Sequence, residues 1–385
     1  MKQIYIIKNK NQRCFIRLMD FFGSIFFRFL YFFSQPDKEL LNIKRILIIR
    51  VDGIGDVLLS TTAINAVRRK FPKAQITVLV RPFAKEILED NPDINKILVC
   101  EHSLLEEQKN YFLYTIKLSQ KLRKYNFDLA IDLRSDFFII LLMFLTKIRY
   151  RVSQGIRGGA FMLTHNASYN GLKHELERDL DVVNIIGATT SHKNPKIYGL
   201  NNYKKFTQDF LNKNKISKNS PLIGISPGAK WKFRRWPINR FAKLSDKLIK
   251  EYKARIILVG NKNEIELSNG IIYLMKEKNR RNVINMVGRT KLKEVASLIK
   301  EMDLFITNDN GLLHIASSVG TRTIALFGPQ DPRRFYPLGD NDIFIYKKVS
   351  CSPCNQVFCK LKPTCMERIE MEEVFNCAIK ILKIE

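Results

Sequence analysis

The chain has 385 residues, 45% of them hydrophobic, and a net charge of +28 with a pI near 9.8. This length and apolar content suffice for two α/β domains with full cores. The positive charge predicts an anionic partner, such as nucleic acid, anionic lipid or a phosphorylated glycan. No run of like charges resembles a disordered basic tail, and four of the seven cysteines cluster near the C-terminus, which argues against a general disulfide framework.

Residues 13–35 predict an amphipathic helix with a wide aromatic face. Nine Phe or Tyr residues lie between Phe15 and Phe33. The polar positions fall near one line of that helix and are Arg13, Arg17, Asp20, Ser24, Arg28 and Gln35. Charges interrupt the run too often for a transmembrane span, and no small-residue cleavage site marks a secretory signal. We interpret residues 1–40 as a membrane-associating segment; the alternative is a helix docked on the protein's own surface.

Strands and helices alternate through residues 41–195. The strands are predicted at residues 45–50, 76–80, 97–100 and 129–133, and the helices at 57–67, 104–125, 137–145 and 174–186. This alternation predicts a parallel, doubly wound sheet. Ligands are expected at the loops that follow the carboxyl ends of its strands.

The first of these loops contains Gly53-x-Gly55 followed by Asp56. The glycines allow close approach of the backbone to a ligand, but the third glycine of a dinucleotide fingerprint is missing. Asp56 is read either as a helix cap or as a general base that points into a cleft. Basic residues in later loops are candidates for binding an anionic ligand, namely Arg134, Arg151 and Arg157.

Residues 196–385 form the second predicted domain, after a polar linker within residues 189–220. Its first strand, residues 222–226, leads into Pro227-Gly228-Ala229 and a basic, Trp-containing stretch that includes Lys232 and Arg234. This stretch is either an anion site or a solvated basic loop. A later strand, residues 304–307, enters the turn Asn308–Gly311 and a helix that Gly320 ends. The start of that helix suits a diphosphate; otherwise Asp309 is an N-cap and His314 a surface residue.

Four cysteines near the C-terminus have the spacing Cys-x2-Cys-x4-Cys-x5-Cys, and they are Cys351, Cys354, Cys359 and Cys365. Four thiols within fifteen residues suit a structural zinc or iron–sulfur site. The alternatives are reduced thiols in a loop or two local disulfides.

Several motifs in this order resemble the ADP-heptose:lipopolysaccharide heptosyltransferase family. They are Arg50-Val-Asp-Gly-Ile-Gly-Asp56, Ser226-Pro-Gly-Ala229, Arg234-Arg-Trp-Pro237, Asp309-Asn-Gly-Leu-Leu-His314 and Phe327-Gly-Pro-Gln-Asp-Pro332. The resemblance covers residues 44 to about 370. It implies a GT-B-like architecture: two facing Rossmann-like, doubly wound α/β domains, preceded here by the N-terminal amphipathic helix.

The resemblance also implies roles for individual residues. Asp56 falls on the family's candidate base, near Gly55 on the acceptor side, and Arg234 falls where the family usually has a Lys beside the donor phosphates. Asn310 replaces the usual Thr of the nucleotide-sugar motif. The implied donor-binding residues are Lys232, Arg234, Glu264, Asp309, Asn310, Gly311 and His314. Arginine keeps the charge of lysine but changes its geometry.

The expected function is therefore inverting, metal-independent transfer of a heptose, or a related sugar, from a nucleotide-diphosphate sugar to a lipopolysaccharide core or other glycolipid. The expected partners are that donor, the glycolipid and an anionic membrane surface, and not nucleic acid. The expected location is the cytoplasmic face of the inner membrane. The competing functions are a two-domain nucleotide-sugar epimerase and a non-catalytic protein that binds anionic polymers.

Overall fold

Two six-stranded sheets carry the described part of the chain, and every strand pair in them is parallel. The computed structural model describes residues 14, 16–18, 20–26, 39–101, 111–217, 219–354 and 359–382. The chain divides into two compact units, the first ending at Pro195 and the second beginning at Lys196. The prediction of a doubly wound α/β fold is confirmed.

The first unit has the strand order β3-β2-β1-β4-β5-β6. Its strands are β1 Arg45–Ile49, β2 Gln75–Val80, β3 Lys96–Val99, β4 Leu129–Asp132, β5 Tyr150–Ser153 and β6 His165–Asn166. Helical residues 14, 16–18 and 20–26 form α1. The helices that follow are α2 Ile54–Leu59, α3 Thr61–Lys70, α4 Lys85–Leu88, α5 Tyr111–Arg123, α6 Phe137–Leu145 and α7 Glu175–Asn184.

The second unit repeats this order, as β12-β11-β10-β7-β8-β9. Its strands are β7 Leu222–Ser226, β8 Arg255–Leu258, β9 Val283–Asn285, β10 Leu304–Asn308, β11 Thr323–Phe327 and β12 Ile343–Tyr346. Its helices are α8 Lys204–Lys213, α9 Ile238–Tyr252, α10 Ile265–Leu274, α11 Glu277–Arg280, α12 Leu292–Lys300, α13 Gly311–Val319 and α14 Met371–Leu382.

The central strands are continuous apolar runs because helices cover both faces of each sheet. All five residues of β7 and of β10 are buried, as are the last four of β1. The strand order reverses between β1 and β4 and again between β7 and β10. In open parallel sheets, ligands bind at such a switch point, outside the carboxyl ends of the strands. The loops to examine are therefore those that leave β1, β4, β7 and β10.

Part of the predicted linker is a helix of the second unit. The helix α8 lies within residues 189–220, and its Thr207 hydroxyl is 2.7 Å from the hydroxyl of Ser297 in α12. The sequence also contains a short amphipathic stretch, residues 206–211, within the predicted linker. Its polar composition is that of a surface helix with one packed side.

The helix α1 lies on the first unit through its narrow polar side. Asp20 is buried, and its Oδ1 accepts a hydrogen bond of 2.8 Å from the Gly159 amide. Gly23 lies so close to the Phe161 ring that a Cβ on it would come within 2.5 Å. The opposite side is exposed by 52–65% at each of Leu18, Phe21, Phe22, Ile25 and Phe26. The helix therefore docks on the first unit, as the alternative expected, but through its polar side, while the apolar side of the described residues 16–18 and 20–26 is exposed. Arg13, Arg28, Gln35 and the remaining aromatic residues lie outside the described residues.

No helix among the described residues has both the length and the hydrophobicity of a bilayer span. The nine apolar residues of α6 are instead largely inside the first unit, where Ile139, Ile140, Leu142 and Met143 are buried.

Candidate functional site

The loop after β1 places Asp56 at the start of α2. Gly53 precedes the helix, and its amide donates to Asp56 Oδ2 at 3.2 Å, so the carboxylate does cap the helix. The capping leaves Oδ1 on the other side, 3.5 Å from Nη2 of Arg50. Gly55 is buried in the first turn of α2. Asp56 can both cap the helix and act as a base, because Oδ2 faces the Gly53 amide and Oδ1 faces Arg50.

The surroundings of Asp56 favour its protonated form. About a quarter of the side chain is exposed. The pKa of Asp56 is raised to about 7, chiefly by burial and also by the charges of Asp52 and Glu175, while Arg50 and Arg134 oppose the rise. A carboxyl that titrates near neutral pH is well matched to taking a proton from a hydroxyl group.

The loop after β4 is organised by a second buried carboxylate, Asp132. Its two oxygens accept from the Arg134 amide at 2.9 Å, the Ser153 hydroxyl at 2.8 Å and the Asp136 amide at 3.3 Å. Burial raises the pKa of Asp132 to about 6, although these hydrogen bonds oppose the rise. The turn brings Arg134 Nη1 to 3.5 Å from Asp52 Oδ2. Arg134 thus lies in one charge cluster with Asp52 and Asp56.

The other two basic candidates of this unit differ in their surroundings. The Arg151 guanidinium is buried and donates to the carbonyl oxygens of Met162 and Ile148. That geometry holds the end of β5 to the following loop, so we do not include Arg151 among the proposed acceptor contacts. Arg157 is half-buried, and its charge lowers the pKa of Asp136, which burial raises. Arg134 lowers the pKa of the same carboxyl group, so both arginines lie near Asp136.

In the second unit, two asparagines join the loops that leave β7 and β10. Asn308 accepts from the Trp236 amide at 3.0 Å and donates to the Pro227 carbonyl at 2.7 Å. Asn310 donates to the Ser226 hydroxyl at 3.0 Å and to the Gly228 carbonyl at 2.8 Å. The switch point of this sheet is therefore a fixed scaffold, in which the basic loop after β7 is attached to the start of α13.

This scaffold holds a basic side chain against an acidic one. Arg234 Nη1 lies 3.4 Å from Asp309 Oδ2, and both side chains are largely buried. Burial raises the pKa of Asp309, whereas Arg234 and Arg334 lower it. Lys232 is exposed on the same short helical turn as Arg234. Together these residues form a cationic edge suited to phosphate oxygens.

The start of α13 has fewer available donors than the sequence suggests. Asn310 caps the helix and accepts from the amides of Leu312 at 2.9 Å and Leu313 at 3.3 Å. Those amides are therefore not available to a diphosphate, which leaves Gly311 as the first-turn candidate. His314 is buried one turn further on, with its ring centroid 6.1 Å from that of Phe335.

Glu264 lies directly beneath the glycine turn after β7. It caps the turn at residues 262–264 by accepting from the Asn261 amide at 3.0 Å. A Cβ on Gly228 would come within 2.0 Å of the Glu264 carboxylate, and one on Gly260 within 2.4 Å. Glycine at both positions is thus what lets this carboxylate reach the carboxyl ends of β7 and β8. Burial raises the pKa of Glu264, and Arg235 opposes the rise.

The four clustered cysteines line a small pocket next to the loops that leave β7 and β11. Phe233 and Pro329 share this pocket, and the Cys354 amide donates to the Pro329 carbonyl at 2.8 Å. All four thiols are free, and within the described residues no three Cys, His, Asp or Glu side chains are arranged to hold a metal. Burial raises the pKa of the Cys365 thiol to about 11. Uncharged thiols pack well in such a pocket.

The sequence alone assigned no role to three residues that build these sites: Arg50, Asp179 and Asn308. Arg50 is a charged residue at the end of an apolar strand, and that abrupt change is a usable signal. Asp179 and Asn308 carry no comparable signal, because one lies within a polar helix and the other within a turn.

One unit presents a carboxyl group suited to accepting a proton, and the other presents a basic, glycine-lined edge suited to phosphates. The family match defines the class of protein, which is a glycosyltransferase. The chain belongs to glycosyltransferase family 9 (heptosyltransferase), whose model matches residues 115–365.

Named relatives agree with this assignment. The chain is 27% identical over 315 residues to lipooligosaccharide heptosyltransferase 2 of Haemophilus ducreyi, covering 78% of this chain and 88% of the relative. It is 26% identical over 308 residues to lipopolysaccharide heptosyltransferase 2 of Escherichia coli, covering 76% and 85%.

A solved structure shares the fold. The E. coli ADP-heptose lipopolysaccharide heptosyltransferase II matches with a TM-score of 0.70 at 22% identity, over 88% of this chain and 98% of that chain. The family assignment selects the transferase over the epimerase and the non-catalytic binder.

Proposed function

We propose that this enzyme transfers a heptosyl group from ADP-heptose to a hydroxyl group of a lipopolysaccharide core or related glycolipid, with inversion at the anomeric carbon. Family membership and the names of the relatives support the sugar and the acceptor class. The observation that carries the chemistry is Asp56, whose pKa of about 7 lets it hold a proton reversibly at neutral pH.

In the proposed reaction, Asp56 takes the proton of the acceptor hydroxyl as its oxygen bonds to the anomeric carbon. The bond from that carbon to the diphosphate oxygen breaks on the opposite face, and the electron pair leaves with ADP. The transition state resembles an oxocarbenium ion, as in glycoside hydrolysis. Arg134 and Arg157 are the proposed contacts for anionic groups of the acceptor.

The leaving diphosphate gains negative charge, and the second unit supplies positive charge. Arg234 and Lys232 are the proposed phosphate contacts, with the Gly311 amide at the positive end of α13. Asp309 positions Arg234, and Glu264 is the proposed ribose contact. Since these groups supply the positive charge, we propose that transfer needs no metal. A structural metal at the four cysteines stays a prediction.

We also propose that α1 binds the surface of an anionic bilayer and places the enzyme on the cytoplasmic face of the inner membrane. Its polar side is occupied by contacts with the protein, while its aromatic side is exposed. The first forty residues contain seven Lys or Arg and three Asp or Glu, and the whole chain carries +28. An exposed apolar helix face within a basic protein matches anionic lipids in both hydrophobicity and charge.

The function is tested by measuring ADP release from ADP-heptose with and without a delipidated lipopolysaccharide core. Mass spectrometry of the acceptor should show a gain of one heptosyl residue, and ADP release should require the acceptor. Epimerised donor with an unchanged acceptor would refute the proposal.

A further inference from the structure

A deeply buried arginine near the candidate base has no part in the proposed transfer. Arg50 follows β1, is only 1% exposed, and extends toward three carboxylates. Its Nε lies 3.1 Å from Asp52, its Nη2 lies 3.5 Å from Asp56, and its Nη1 donates to Asp179 at 2.9 Å. Nη1 also donates to the Leu133 carbonyl, at the end of β4.

Asp179 anchors this arginine from the far side. It lies on α7, is also 1% exposed on its side chain, and uses Oδ1 for Arg50. Its Oδ2 is buried with no hydrogen-bond partner in the described part of the chain. Burial raises the pKa of Asp179 well above its usual range, and Arg50 opposes that rise.

A role in stability alone does not account for this pair. Replacing a buried ion pair by apolar residues of similar volume is often neutral or stabilising, because removing two charges from water offsets much of their attraction. The Arg50–Asp179 pair does, however, fix the relative positions of the elements that it contacts. One planar guanidinium spans β1, β4 and α7, and its remaining amino group faces the proposed base.

We propose that Arg50, anchored by Asp179 and the Leu133 carbonyl, is a positioning residue that orients Asp56 and stabilises its carboxylate for proton transfer. This inference rests on the proposed function, since it assigns Arg50 a purpose through Asp56. A planar, multidentate guanidinium can contact all these groups together, whereas a lysine ammonium cannot keep the same fork of contacts.

The charges around Asp56 determine the direction in which its pKa should change when Arg50 is removed. Asp52 on the same loop and Glu175 on α7 raise its pKa, and Arg50 and Arg134 lower it. An opposite charge within about 4–6 Å lowers a carboxyl pKa by about 1–3 pH units. Removing Arg50 should therefore move the midpoint of the pH–kcat profile upward by about 1–3 pH units.

The central test is the double variant Arg50→Met with Asp179→Leu, which removes both members of the buried pair and leaves neither without its partner. We expect it to fold, to keep its KM for ADP-heptose within about threefold, and to lose at least tenfold in kcat at pH 7. The midpoint of its pH–kcat profile should also lie above that of the wild type. Full activity with an unchanged midpoint would overturn the proposal, because the pair would then be structural only.

Two further variants separate anchoring from general damage. Asp179→Asn keeps an oxygen that can accept from Arg50, so its kcat should stay closer to the wild type than that of Asp179→Ala. Arg68→Met is the matched control: Arg68 also makes fixed hydrogen bonds in the first unit, to the Ala74 carbonyl and Asn95, but lies outside the site. Its pH midpoint should not move, and an equal shift there would refute a specific role for Arg50.

A measurement without turnover distinguishes failure of this inference from failure of the proposed function. The pH dependence of the stability difference caused by Asp56→Asn reports the pKa of Asp56 in any background. That difference should reach its plateau at a higher pH in the double variant than in the wild type. If no heptosyl transfer is found at all, this shift still tests Arg50; an unchanged plateau would overturn the inference even in an active enzyme.

Discussion

Asp56→Asn is the substitution that most directly joins the geometry of the first site to its chemistry. The amide keeps the size of the carboxyl group and can still accept from the Gly53 amide, so α2 should start at the same residue. It cannot take a proton from a hydroxyl. We expect kcat to fall by about a hundredfold or more, with donor affinity unchanged.

The same substitution should stabilise the fold. The pKa of Asp56 rises from 3.8 to about 7 on folding, so the folded protein holds this proton more tightly than the unfolded chain does. Stability is then lost as pH rises from about 4 to about 7. Ionised Asp56 costs at most roughly 4 kcal/mol above pH 7, at 1.36 kcal/mol per pKa unit. Because a quarter of the side chain reaches solvent, we expect a gain of about 2–3 kcal/mol at pH 8, shrinking toward pH 4.

Urea unfolding at pH 4, 6 and 8 and acceptor-dependent ADP release measure both effects. Asp93→Asn is a suitable control, because Asp93 accepts from Asn65 and lies outside the site. Near-normal turnover of Asp56→Asn would reject the base. A stability difference that does not change with pH would reject the raised pKa, even if turnover fell.

Three further predictions concern the donor site and α1. Arg234→Ala should weaken ADP binding about tenfold or more in calorimetry, and Arg234→Lys should weaken it less. EDTA should leave heptosyl transfer intact in both the wild type and Cys351→Ser. A dependence of transfer on added Mg²⁺ would contradict the metal-free mechanism. Gly228→Ala should lower Tm because its Cβ would lie 2.0 Å from the Glu264 carboxylate, and adding Glu264→Ala should restore Tm; no rescue would place the strain elsewhere. Phe22→Asp with Phe26→Asp should release the protein from anionic vesicles, because full burial of each Phe contributes about 1.5–3 kcal/mol. Phe112→Asp, at a comparably exposed position outside α1, should not release it, and unchanged sedimentation of the α1 variant would reject α1 as the anchor.

Point substitutions test α1 better than removal of residues 1–40. Deleting the segment would also remove the Asp20 contact with Gly159 and uncover the Phe161 ring. A loss of vesicle binding would then be confused with damage to the first unit. Phe22 and Phe26 are exposed, so their replacement should leave the folded state unchanged.

The amino-acid sequence by itself determined the alternation of strands and helices and the glycine turns after β1 and β7. It also determined that Asp56 lies at a helix start and Asp309 in the turn after a strand. These features follow from local rules. Apolar periodicity identifies an element from one short segment, and a residue such as Gly320, with a φ of 83°, ends a helix through its own conformational freedom. Short peripheral elements such as β6 and the helix α8 were missed or placed in a linker, because their local signal is weak.

Only the tertiary structure decided which groups meet. Arg50 and Asp179 are 129 residues apart in sequence, and their contact depends on the strand order that brings β1, β4 and α7 together. Strand order likewise places Glu264 beneath Gly228 and turns Arg151 toward backbone carbonyls. Residue type and spacing can be identified from a short segment of sequence. The burial of a charged group and its distance from other charges arise only when distant segments pack together. The raised pKa of Asp56 is therefore a property of the folded chain, and the sequence could name the residue but not its proton affinity.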